Sequence, residues 1–355
     1  MKYTSEAVGK GHPDKLSDYI SDSILTYCLK EDRNSRVAIE TAVKNDLIYC
    51  FGEISTTAKL DYEKIILEAA RNAGYEEDFN VQLNITEQSK EIDDLVSKKE
   101  MMAGDQGIMF AYATNKTPNY MPLAFNLAQT VVRELNNLAK NNPLIKTDCK
   151  AQVTLDNDKI DRLIIAICHD EALKIEDLRK IILDEIIEKK IDSKLFKKKL
   201  EDAVFINRAG PFTKGGPWAD AGLTGRKIVC DSYGGEAVGG GAFSGKDPSK
   251  VDRSGAYYAR FVAKNIVMHD LADECLIQVA YVIGESQPVS LNIDCRGSEK
   301  IPLKRIYDWV NDNFDFRVQN IIDELNLLEV DYRELSNYGH FGKDNFSWEA
   351  KKDIS

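Results

Sequence analysis

The run Val37, Ile39, Thr41, Val43 has the period-two spacing of a half-buried strand. It is followed by Asn45-Asp46 and a second extended run from Leu47 to Ile54, which predicts a β-hairpin. Two further hairpins are predicted, in CKAQVTLDNDKIDRLIIAICH with a turn near Asp158 and in CLIQVAYVIGESQPVSLNID with a turn near Ser286. Helical spacing precedes each hairpin, at Leu16, Ile20, Ile24 and Tyr27, from Leu123 to Leu138, and at Ala256, Ala259, Val262 and Ile266. It also follows each, in DYEKIILEAARNAG, IEDLRKIILDEIIEKK and PLKRIYDWVNDNF. The short apolar runs VQLNI, IMFAYAT, AVFINR and KIVCDSY complete the pattern as strands. The chain then reads as strand, helix, hairpin, helix, strand three times over, the third unit lacking a clear closing strand. Hairpins flanked by helices predict an α+β fold with helices on one face of each sheet, rather than a doubly wound parallel sheet. The units are expected at 1–100, 101–214 and 215–355.

The length of 355 residues suits two or three domains with sizeable cores. With 47 Lys plus Arg against 58 Asp plus Glu, the net charge of -11 argues against a general nucleic-acid binder. A polyphosphate could still be held by a local cluster of cations. Seven cysteines with no CxxC pair suggest buried thiols, not a disulfide framework or zinc knuckle. No run approaches the ~18 apolar residues of a membrane span, and the N-terminus lacks the apolar core of a signal peptide, so a cytoplasmic protein is expected.

Glycine is distributed unevenly, with 12 of 22 between Gly210 and Gly255. In GGGAFSGKDPSKVDRSGAYYARF, Gly240, Gly245 and Lys246 match the spacing G-x-x-x-x-G-K, but Asp247 stands where a P-loop needs Ser or Thr. The physics still fits phosphate: glycines let backbone N–H groups approach oxygens, Lys246 and Lys250 bring charge, and Asp252 could hold a hydrated divalent ion. Upstream, GGPWADAGLTGRKIVCDSYGG sets Arg226 and Lys227 near Asp220. Interleaved charge and an apolar anchor, Phe243, distinguish the region from a flexible linker.

Pro13 in GHPDKLSDYISDSIL fits a first helical position, which puts His12 and Asp14 at a helix N-terminus. Such a place suits an anion or a carboxylate-held cation, and ordinary capping accounts for the same residues. A turn at Asn45-Asp46 pairs Glu40 with Phe51 and Glu53 with Ala38. The two glutamates become diagonal neighbours opposite the apolar face, where a cation, a ligand amine or solvent must offset their repulsion. Asp105 falls in a glycine turn, AGDQGIMFAYAT. No H-E-x-x-H or G-x-S-x-G supports a zincin or an α/β-hydrolase.

Taken together, SEAVGKGHPDKLSDYISDSIL, the hairpin carrying Glu40 and Glu53, GDQGIMFAYAT, GGPWADAGLTGRKIVCDSYGG, GGGAFSGKDPSKVDRSGAYYARFVAKNIV and YGHFGKDNFSWE closely resemble the S-adenosylmethionine synthetases, nearly end to end. The resemblance implies three interleaved βαββαβ-like repeats with pseudo-threefold symmetry. It implies a homodimer or homotetramer with active sites between subunits, and a reaction of ATP with L-methionine followed by hydrolysis of the bound triphosphate. By the same resemblance His12 lies near the O5' leaving oxygen, Asp14 and Asp252 hold two magnesium ions, and Glu40 contributes to a potassium site. Glu53 and Gln88 correspond to methionine ligands, and Asp220 to a contact with both substrates. Lys150, Arg226, Lys227, Lys246 and Lys250 correspond to positions around the polyphosphate and the methionine carboxylate. Phe212 and Ala242 correspond to nucleotide contacts, and Asp105 and Asp148 to substrate-site positions. Two departures stand out: Pro211 occupies a position that is generally Arg in the family, and SKEIDDLVSKKEMMAG after Gln88 is shorter than the family's active-site loop.

Overall fold

In a computed structural model, residues 2–87 and 101–354 are described. The first unit runs β1 (Lys2–Val8), α1 (Pro13–Glu31), the hairpin β2 (Arg36–Lys44) and β3 (Leu47–Ser55), α2 (Tyr62–Ala73) and β4 (Asn80–Thr86). The second runs β5 (Gly107–Thr114), α3 (Leu123–Asn141), β6 (Ile145–Asp156), β7 (Lys159–His169), α4 (Ile175–Ile182) and β8 (Val204–Ile206). The third runs β9 (Gly222–Leu223), α5 (Val251–Met268), β10 (Glu274–Tyr281), β11 (Ser290–Asp294) and α6 (Leu303–Asn313). Among the described residues no strand follows α6.

The described strands form three sheets, ordered β4-β3-β2-β9, β1-β6-β7-β8 and β11-β10-β5. Every hairpin takes the opening strand of a different unit, always antiparallel to its own first strand. Thus β9 joins β2, β1 joins β6 and β5 joins β10. Where a closing strand exists it adds in parallel, β4 to β3 and β8 to β7. The long helices repeat the rule, each packing on its own hairpin's first strand and on the borrowed strand: α1 on β2 and β9, α3 on β6 and β1, α5 on β10 and β5. The fold is therefore α+β, with three interleaved units in a cyclic exchange.

Local chemistry explains the turns. Asn45 sits at φ 52° and the β2–β3 register pairs Glu40 with Phe51 and Ala38 with Glu53, as the alternation requires. In the second hairpin Asn157 and Asp158 both take positive φ, 49° and 59°, the conformation a two-residue turn needs to match strand twist. One expectation changes: KIVCDSY is not a strand, because Ile228–Asp231 closes into a short helix and the place beside β2 is filled by Gly222–Leu223. A Cβ on Gly222 would meet the Pro13 carbonyl at 2.1 Å, so only glycine lets β9 slide between β2 and the start of α1. All seven cysteines are free and buried.

Candidate active site

Helix α1 begins with His12 as its N-cap, whose Nδ1 accepts the Asp14 N–H at 3.2 Å, and with Pro13 in the first turn. The imidazole is 3% exposed. Burial, then the charges of Lys227 and Lys150, push its pKa down to about 3, so the ring is neutral at pH 7. With Nδ1 accepting, the neutral ring carries its proton on Nε2. Asp14 takes Lys227 Nζ on Oδ2 at 2.5 Å and the Leu223 N–H on Oδ1 at 3.0 Å, with Arg226 Nε at 3.6 Å. Burial alone would raise this carboxyl, but the Lys227 and Leu223 hydrogen bonds hold it below its ordinary value.

Asp14 is the first of three buried aspartates spaced by four along α1. Asp18 accepts the Gly225 N–H at 2.8 Å, and Asp22 the Gly245 N–H at 2.9 Å. The stripe thereby fastens both glycine-rich segments to one helix. Gly225 precedes Arg226 and Lys227, and a Cβ placed on it would come within 2.8 Å of Ala242. Gly245 precedes Lys246, whose Nζ lies 2.5 Å from Asp252 Oδ2. Gly241 and Gly107 both close on Asp252, where added Cβ atoms would sit 2.5 and 3.1 Å from Oδ1. This brings the turn holding Asp105, whose Oδ1 accepts the Gln106 N–H, toward the same carboxylate. Asp247 is buried and accepts the N–H groups of Val37 and Ser249 and the Lys250 ammonium at 2.6 Å. Here Asp247 ties the loop to β2, which accounts for the departure from the P-loop pattern.

Beside His12 opens a cavity of about 670 Å³ lined by Tyr75, Asp148, Cys168, Gly215, Gly216 and Trp218. Tyr75 donates its hydroxyl to the carbonyl of Gly11, next to His12. Asp148 accepts the Gly216 N–H at 2.7 Å, and burial raises its pKa against that bond and the charge of Lys150. Phe212 is paired through its backbone to His169, at 2.9 and 3.3 Å, just before the Thr213–Gly216 wall.

Family models match the chain along its whole length: the S-adenosylmethionine synthetase N-terminal domain over residues 1–98, the central domain over 100–212 and the C-terminal domain over 214–350. The S-adenosylmethionine synthase of Mesoplasma florum is 43% identical over 366 aligned positions, covering 98% of this chain and 96% of that protein. The chain belongs to the S-adenosylmethionine synthetase family. Its activity is that of a methionine adenosyltransferase.

Against the residues expected for an S-adenosylmethionine synthetase, two groups emerge. His12, Asp14, Arg226 and Lys227 adjoin one another, and Lys150 and Asp220 lie near enough for their charges to act on His12. Lys246, Ala242 and Lys250 belong to the glycine-rich loop, where Lys246 meets Asp252 in the first turn of α5 and Lys250 meets Asp247. Glu40 and Glu53 lie exposed on the outer face of β2–β3, and Glu53 connects to the loop through Ala38, which pairs with both Glu53 and Lys246. Gln88 falls outside the described residues. Sequence reasoning missed Asp18 and Asp22. The available signal was side-chain length: the α1 stripe carries Asp and Ser, whereas a solvated helical face usually carries long Lys and Glu.

Proposed function

We propose that the site around His12 joins ATP and L-methionine and then cleaves the triphosphate it has released. The observation that carries this reading is the set of cations, Lys150, Arg226 and Lys227, gathered about a neutral buried His12 at a helix N-terminus, beside an aromatic-walled cavity. The methionine thioether is neutral and already nucleophilic, so it needs no general base. Sulfur forms a bond to C5' of the ribose, the C5'–O5' bond breaks, and its electron pair leaves on the triphosphate. The sulfonium product keeps the positive charge, and water then splits triphosphate into phosphate and pyrophosphate.

The protein's contribution is alignment and charge. Orientation of sulfur, carbon and oxygen is worth up to about 7–11 kcal/mol. His12, with its proton on Nε2, donates toward O5', and one such donor is worth about 3–4 kcal/mol. Arg226, Lys227, Lys150 and Lys246 receive the charge that develops on the phosphates, and Asp148 and Phe212 flank the nucleoside cavity. Asp105, Ala242 and Lys250 complete the nucleotide contacts, and Asp220 and Glu53 serve methionine, a role that the resemblance also gives to Gln88, outside the described residues.

Asp14 and Asp252 are hard oxygen donors of the kind magnesium takes, and each holds a lysine ammonium as its cation. They would hold two magnesium ions, which neutralise phosphate charge when bound. Glu40 offers a further carboxylate, suited to potassium. Exposed Ile108 and Ile164, on strand faces turned from the core, support self-association as a homodimer or homotetramer with sites between subunits. Seven reduced thiols support a cytoplasmic setting.

The test is incubation with ATP, methionine, magnesium and potassium. S-adenosylmethionine, phosphate and pyrophosphate are expected. No product at high protein concentration, or methionine-independent ADP, would defeat the reading.

A further inference from the structure

Asp22, the last of the α1 stripe, is fully buried and uses both oxygens twice. Oδ1 accepts the Gly245 N–H and Arg253 Nη1, both at 2.9 Å. Oδ2 accepts Arg253 Nη2 at 2.9 Å and Ser336 Oγ at 2.8 Å. The guanidinium is itself confined: Nη1 also donates to the Lys246 carbonyl at 2.9 Å, Nε donates to Tyr257 Oη at 3.1 Å, and the Tyr332 ring lies 4.3 Å away. One carboxylate therefore grips the backbone on either side of Lys246, at the Gly245 N–H directly and at the Lys246 carbonyl through Arg253. Arg253 also follows Asp252, so the same fork sets where the Asp252 carboxylate meets the Lys246 ammonium.

We propose that Asp22, acting through Arg253, is a positioning residue for Lys246, fixing the loop that receives the triphosphate. This rests on the polyphosphate role assigned to Lys246 above. Gly245 takes φ 79° freely as a glycine, and it lies so close to β2 that an added Cβ would meet the Ile39 carbonyl at 1.9 Å, while its own carbonyl accepts the Ile39 N–H at 3.0 Å. From that anchored backbone, the grips of Asp22 and Arg253 on either side of Lys246 set where its side chain is carried.

Helix α5 supplies an internal comparison. Two turns on from Arg253, Arg260 forms a second fully buried fork with Glu349, and its other bonds run to the carbonyls of Tyr112, Asn119 and Tyr120. That pair has the same chemistry and the same burial but no contact with the Lys246 loop.

The experiment compares the full chain with its D22N, R253K and R260K variants. Binding of inorganic triphosphate with magnesium is measured by calorimetry, and melting temperature, kcat and the KM for ATP are measured alongside. R253K keeps its charge and is the milder variant should D22N not fold. D22N and R253K are expected to weaken triphosphate binding at least fivefold and to release more triphosphate unhydrolysed. R260K is expected to melt lower yet bind triphosphate within twofold of the parent. Triphosphate binding within twofold of the parent in R253K, or an equal weakening in R260K, overturns the proposal. A parent that makes no S-adenosylmethionine but binds triphosphate, with both clamp variants weakened, would sink the proposed function and leave the clamp standing.

Discussion

Lys227 Nζ lies 2.5 Å from Asp14 Oδ2 while the Leu223 N–H occupies the other oxygen at 3.0 Å, so the helix start and the glycine-rich segment share one carboxylate. Replacing the ammonium removes this tie and, in the proposed function, a cation beside the leaving group. Lys227→Met is expected to lower kcat/KM for S-adenosylmethionine formation about 100-fold or more, the effect of losing one well-placed donor. Steady-state assays with a melting curve separate this from unfolding.

The close approach of Gly222 to Pro13 gives a second expectation. Alanine there would place a Cβ 2.1 Å from a backbone oxygen, so β9 must move and carry Leu223 to Lys227 with it. Gly222→Ala is expected to cost about 1–3 kcal/mol of stability, as overpacking does, and to reduce activity more than tenfold. Urea unfolding and the product assay read the two effects.

Stability should depend on pH through α1. Burial raises Asp18 to about 7, against the pull of Lys15 and helped by the nearby charge of Asp231, which burial also raises. The folded chain then keeps a proton that the unfolded chain gives up near pH 4, so stability falls as pH rises from about 4 to 7 and levels off above. Asp18 and Asp231 share Lys15, and the slope belongs to the pair. Asp18→Asn is expected to flatten it by up to about 1.4 kcal/mol per pH unit, measured by urea midpoints between pH 4.5 and 7.5.

Thiol chemistry offers a fourth check. Burial pushes Cys28, Cys50 and Cys230 up to about 12, and Cys168, which lines the cavity, up to about 11. A maleimide is expected to label Cys28, Cys50 and Cys230 slowly in the native protein, Cys168 before those three, and ATP should slow Cys168 further; Cys295, whose thiol is lowered by its hydrogen bond with Cys275, is set apart from this order. Peptide mass spectrometry gives the order. Rapid labelling of several thiols in the native state would contradict the packing.

Much of this is legible in the sequence. Period-two alternation and Asn-Asp turns are local signals, and they gave the hairpins with the register of Glu40 and Glu53. Glycines interleaved with Lys, Arg and Asp marked the loops, where backbone comes close to Ala242, Asp252 and the Ile39 carbonyl. The resemblance implied interleaved units, but which strands exchange was not legible, since nothing local in Lys2–Val8 indicates a partner at Ile145–Asp156. KIVCDSY misled because a short apolar run fits a strand or a buried helical turn equally well. Asp22 and Arg253 stayed hidden for the same reason: their meaning lies in a contact 231 residues long.

The exchange also sets a timetable for synthesis. The first hairpin is complete at Ser55, yet its outer edge stays bare until Gly222–Leu223 has been made. β5 likewise stays unpaired until Glu274–Tyr281 has been made. The central sheet is finished first, at Ile206, and the N-terminal sheet only afterwards. A growing or truncated chain thus carries unpaired strand edges of the kind that invite aggregation. Cutting at any unit boundary yields fragments with an orphan strand on one side and an open edge on the other, so the three units stand or fall as one cooperative body.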